Sequence, residues 1–156
     1  LVDSADSVTF CLSKGLSCPV GSMLCGSEDF IHEARRARKI LGGGMRQAGV
    51  LAAAGIYALD HMIDRLAEDH QLAELFAAGI AELPQFKLVK GSPQTNMVFV
   101  DVQPNSKLEV HALVDALKAE GVLVGQSGEN ELRFVTHYGL DKSDVDACLA
   151  ALKRLS

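Results

Sequence analysis

Val8-Thr9-Phe10-Cys11-Leu12-Ser13-Lys14-Gly15 runs on into Leu16-Ser17-Cys18-Pro19-Val20-Gly21-Ser22-Met23-Leu24-Cys25, and the reading of this stretch decides the fold. The apolar, partly β-branched run 8–12 predicts a buried strand that delivers Ser13 and Lys14 to its carboxyl end. Residues 20–25 predict a second strand. Ligands of open α/β sheets bind near such strand ends, which makes Lys14 a candidate for chemistry. A lysine amine condenses with a carbonyl cofactor once it is deprotonated, and burial or a cationic neighbour promotes that loss. Ser13 adds a hydroxyl, and Gly15 removes a side chain from the approach. The plainer reading, an ordinary surface lysine in a turn, stays open on this pattern alone.

Working outward, Ser27 is placed to cap a helix, with Glu28 and Asp29 in its first turn, where carboxylates suit the helix dipole. The helix is expected to reach about Leu41 and stop at Gly42-Gly43-Gly44. From Met45 to about Leu59 the chain is apolar nearly all round and rich in Ala and Gly, a composition that belongs inside a protein or at a close interface. Residues 60–83 are expected to continue helically, with Leu72, Leu75, Phe76 and Ile80 on one face, until Pro84 stops the helix.

The remainder predicts a small α/β unit. Residues 96–102 form the clearest strand. Val110, Leu113, Val114 and Leu117 follow helical spacing before Gly121, and short strands follow near 122–124 and 132–136. Asp141 caps a last helix carrying Val145, Cys148, Leu149 and Leu152 on one side. The fold class is therefore α/β, with a division between Pro84 and Gln94 that separates residues 1–85 from 86–156.

Composition narrows the function. Apolar residues at 48% and charged residues at 22% fit a globular protein rather than a disordered one. No run of about 18 apolar residues suggests a membrane span, and no secretory leader is visible at the start. A net charge of −5 argues against nucleic acid as a partner, since broad binding needs phosphates neutralised. Arg35-Arg36-Ala37-Arg38-Lys39 is read as a solvated helix face. Cys11, Cys18, Cys25 and Cys148 make no CxxC pattern and do not pair with histidine at metal-ligand spacing. Cys11 and Cys25 are expected to behave as small core residues, and a reduced, cytoplasmic protein is the simplest reading. His32, His61, His70, His111 and His137 form no metal or triad signature. His61 and His70 are expected on an exposed helix, and His137 to be structural.

Three blocks carry a resemblance. Residues 11–22 resemble the cofactor-lysine segment of the low-specificity threonine aldolases. RRARKILGGGMRQ at 35–47, followed by AGVLAAAG at 48–55, is similar to the same family at matching separation. Leu132-Arg133-Phe134-Val135-Thr136-His137 resembles the family's last, substrate-arginine strand. Together they cover nearly the whole chain in order.

The resemblance implies the end of the large domain of a fold-type I pyridoxal-phosphate enzyme, followed by its small C-terminal α/β domain. It implies that Lys14 holds pyridoxal 5'-phosphate, with Ser13 and Arg46 as further cofactor contacts. Arg133 would bind the carboxylate of an amino-acid substrate, and Lys39 matches a further basic position on the substrate side. The implied reaction is cleavage of β-hydroxy-α-amino acids such as L-threonine and L-allo-threonine to glycine and an aldehyde. The implied assembly is a dimer of dimers, with no metal. A β-eliminating lyase or aminotransferase of the same fold, and a non-catalytic α/β binding or assembly module, are the alternatives.

Two departures from the family stand out. Ser17-Cys18 replaces a Gly-Ala pair common there, and only 13 residues precede the lysine where the family has a long N-terminal portion. A fragment is therefore expected, inactive alone, in which the segment 8–25 exposes apolar faces and unpaired strand edges.

Overall fold

The computed structural model describes residues 2–89, 91–106 and 109–156. Two compact units divide the chain, Leu1–Arg65 and Leu66–Ser156. Helix 66–81 belongs to the second unit because its buried face packs into that unit's core. The dividing point thus precedes the one expected at 85/86, where only Pro84 had been available as a marker.

In the first unit, β1 (Ser7–Cys11) and β2 (Ser22–Gly26) form an antiparallel pair, with Phe10 opposite Met23 and Cys11 opposite Ser22. Helix α1 (Glu28–Ile40) begins at Ser27, whose hydroxyl accepts the Phe30 N–H at 3.3 Å, as the sequence predicts. Helix α2 (Gly49–His61) starts four residues later than the apolar run does, because residues 45–48 follow the glycines as non-helical chain. Only Gly55 and Ala58 of α2 are buried, while Val50, Ile56 and Tyr57 are exposed. Phe10, Met23, Leu24 and Phe30 are exposed as well, which bears out the expected open apolar faces. It also overturns the reading of the first strand as buried and of Cys11 and Cys25 as core residues: both cysteines are exposed.

The second unit has a four-stranded antiparallel sheet in the order β3-β4-β6-β5, from β3 (Phe86–Leu88), β4 (Met97–Val102), β5 (Gly125–Gln126) and β6 (Glu131–Val135). Alternation along β4 and β6 points Val98, Val100, Val102, Leu132 and Phe134 into the core, each a burial of about 1.5–3 kcal/mol. Helices α3 (Leu66–Ala81), α4 (Val110–Ala119) and α5 (Lys142–Leu155) cover that face with Phe76, Ile80, Leu113, Leu117, Val145 and Leu152. The rings of Phe76 and Phe134 meet at 4.7 Å between centroids.

Three sequence expectations shift here. The helix expected through 60–83 breaks after His61 and restarts at Leu66. Leu75 is exposed while Ala73 and Ala77 take the buried face. The strand near 122–124 forms instead at Gly125–Gln126.

Candidate functional site

Lys14 lies three residues beyond Cys11, the last residue of β1, and its local structure is set by the residues around it. Leu12, Leu16 and Cys18 are buried, whereas Ser13, Lys14 and Ser17 between them are exposed. Three backbone bonds close the loop: Leu12 N–H to Gly21 O at 3.0 Å, Cys18 N–H to Leu12 O at 3.0 Å, and Ser17 N–H to Lys14 O at 2.8 Å. The last defines a tight turn starting at the lysine, with Ser17 at φ 59°.

Helix α2 supplies the floor. A Cβ on Gly55 would stand 3.3 Å from Leu12 Cδ1, and the Cys18 thiol lies 3.5 Å from Ala54 O, so the helix approaches the loop closely because position 55 lacks a side chain. The lysine is thus an exposed amine on an anchored turn. Among the described residues it has no ion-pair or hydrogen-bond partner.

The second basic group gathers at the end of α1. Leu41 caps the helix and Gly42 follows at φ 87°. A Cβ on Gly44 would lie 2.7 Å from Lys39 Nζ, and one on Gly43 would lie 2.6 Å from Arg38 Cγ. The glycines therefore serve close approach as well as helix termination: two long cationic arms fold back along the segment that leads to exposed Arg46. Lys39 thus lies against the backbone two residues before Arg46. The run 35–39 has no buried residue, as the solvated-face reading expects.

Arg133 stands in the second unit, on the sheet face opposite the helices, in register with Phe99 on β4 and Gly125 on β5. Its guanidinium lies over β5, with Nη2 3.7 Å and Nε 3.9 Å from where a Gly125 Cβ would be. It makes no ion pair among the described residues. Three residues on, Thr136 is pinned: its hydroxyl donates to Asp69 O at 2.6 Å, and Asn96 Nδ2 donates to Thr136 O at 2.7 Å. These ties hold the end of β6 to α3 and to the start of β4. His137 is exposed, its Nδ1 2.9 Å from Tyr138 O, and His61 is exposed at the end of α2, its ring tilted against that of Tyr57; His70 is half-buried on α3, which corrects its expected exposure.

A cleft of about 360 Å³ between Phe134, the 120–123 turn and α5 contains none of the expected site residues. Cys148 lines it, and burial pushes that thiol up to about 12, leaving it protonated and unreactive. Among the described residues no cluster suits a metal ion, and no helix is long and apolar enough to cross a membrane. Sequence reasoning missed the anchors Leu16 and Cys18 and the neighbours of Arg133, because strand register and loop closure have no one-dimensional signature; Leu12, within the run expected to be buried, is buried.

Residues 1–104 match the family described as Beta-eliminating lyase. The chain is 40% identical over 154 residues to low-specificity L-threonine aldolase 1 of Arabidopsis thaliana, covering 99% of this chain and 43% of that protein. It is 44% identical over 140 residues to the low specificity L-threonine aldolase of Escherichia coli K12, covering 90% of this chain and 40% of that protein. A putative L-allo-threonine aldolase from Listeria monocytogenes superposes with a TM-score of 0.72 at 20% identity, over 97% of this chain and 45% of that one. The chain spans less than half the length of these relatives, and the likeness in structure is one of fold. On the match over its first 104 residues and the shared α/β architecture, the chain belongs to the beta-eliminating lyase family of pyridoxal-phosphate-dependent, fold-type I proteins.

Proposed function

We propose that the protein to which this sequence belongs cleaves L-threonine, L-allo-threonine and related β-hydroxy-α-amino acids between Cα and Cβ, releasing glycine and an aldehyde. The observation that carries the reading is Lys14: an exposed, unpaired amine on a turn anchored by buried neighbours, within a sequence alike over 99% of its length to a named threonine aldolase. The residues present fit pyridoxal phosphate. Lys14 Nζ would hold its carbonyl carbon, and Ser13 adds a hydroxyl beside it. Arg46 would offer a cation for its phosphate. When bound, that cofactor supplies an electron sink for the pair left by the broken bond.

The chain's own contribution is binding and orientation. Arg133 presents a planar fork that matches two carboxylate oxygens, and fixing that end sets the direction of the scissile Cα–Cβ bond. Lys39 adds a second cation for the substrate side. The exposed apolar side chains of α2 and of the β1–β2 pair support burial against further polypeptide, in a dimer of dimers and in the longer chain its relatives have. The 156-residue chain is accordingly proposed to be inactive alone. Four free thiols are in keeping with a cytoplasmic setting.

The test is product analysis with the full-length polypeptide, pyridoxal phosphate and L-threonine. Glycine and acetaldehyde in equal amounts are expected. Ammonia with an oxo acid, or amino-group transfer without glycine, would move the protein to a sister reaction.

A further inference from the structure

We infer that Ser127 is a positioning residue that keeps Arg133 open to an incoming carboxylate by holding the chain's own acid, Glu131, away from it. The inference rests on the reading of Arg133 as the substrate-carboxylate anchor. Glu131 and Arg133 are two residues apart on β6 and share the sheet face opposite Leu132 and Phe134. Same-face neighbours on a strand stand about 7 Å apart, a distance two long side chains of opposite charge readily close. An exposed ion pair of that kind is worth about 0.2–1 kcal/mol, and a substrate would have to break it.

The pair does not form. Glu131 Oε1 accepts a hydrogen bond from Ser127 Oγ at 2.7 Å, across the hairpin that joins β5 to β6. The hairpin brings the two together, since Ser127 N–H also bonds Glu131 O at 2.9 Å. Arg133 lies over the other end of the same neighbouring strand, its guanidinium against Gly125, where no side chain intervenes. With Glu131 engaged by the hydroxyl and Arg133 unpaired among the described residues, the fork is presented with no internal carboxylate to displace. Removing the Ser127 hydroxyl releases an intramolecular competitor for the same guanidinium.

Two readouts test this. In the full-length polypeptide with pyridoxal phosphate, Ser127→Ala should raise KM for threonine about two- to fivefold, the equivalent of one exposed ion pair, with kcat little changed. Adding Glu131→Gln should restore KM, which a merely structural loss at Ser127 would not allow. In the 156-residue chain, the Arg133 Nε–H resonance should shift in Ser127→Ala and return in the double variant. An unshifted resonance in Ser127→Ala, or a raised KM that persists in the double variant, overturns the inference. Arg133→Gln serves as control: if it leaves KM unchanged, the anchor reading fails, and the resonance alone decides whether Ser127 restrains Glu131.

Discussion

Lys14 owes its presentation to its neighbours. Leu12 before it and Leu16 and Cys18 after it are buried, and three backbone bonds hold the loop they anchor. The one strained position in this loop is Ser17, a non-glycine residue at φ 59°. Ser17→Gly should therefore stabilise the first unit by about 0.5–1 kcal/mol, read as a higher denaturant midpoint at unchanged slope. A lower midpoint would mean that the Ser17 side chain contributes more than its backbone geometry costs. The loop that carries Ser13 and Lys14 and the helix end at the glycines before Arg46 were legible in the sequence because each depends on residue type at a fixed spacing. Cys11 and Cys25 were misjudged because burial on a strand depends on what lies across it, and only β2 and β1 themselves are paired there.

At the scale of elements, helix ends were the most legible features, since a cap is a local chemical event. Asp141 accepts the N–H groups of Ser143 and Asp144 and the Ser143 hydroxyl, while the Asp144 carboxylate takes the Asp141 N–H at 2.9 Å. The Ser143 hydroxyl, then the two backbone N–H groups, hold the Asp141 carboxyl below its ordinary 3.8. A lowered folded value means that the cap's contribution is complete above about pH 4 and is lost as pH falls through the folded value below 3.8. Asp141→Asn should lower the melting temperature at neutral pH and lose that difference in strong acid. A difference independent of pH would contradict the charged cap. By contrast β3 was missed, because a three-residue strand leaves no alternation to read. The break between α2 and α3 was missed as well, since residues 62–65 contain neither glycine nor proline.

For the whole molecule, two units of different character follow from how much each covers. The second unit encloses one apolar cluster in which Ile80, Val98, Val100, Leu117, Leu132 and Leu152 are fully buried, and β4 is bonded on both edges. The first unit rests on a two-stranded ribbon and two helices with most apolar side chains exposed. A two-stranded sheet is marginal without further packing. Amide hydrogen exchange in the 156-residue chain should therefore show β4 and β6 protected at least about tenfold more than β1 and β2. Equal protection would mean that the exposed faces are covered, as by self-association. The apolar run 45–59 carried this much in advance: its composition calls for burial, but sequence alone does not say against what.

The central claim is that Lys14 is the cofactor lysine, and borohydride reduction of the full-length polypeptide with pyridoxal phosphate, followed by peptide mass mapping, tests it most directly. The account predicts one stoichiometric pyridoxyl adduct, on the peptide containing Lys14, lost in Lys14→Ala. An adduct on another lysine, or none, would contradict it.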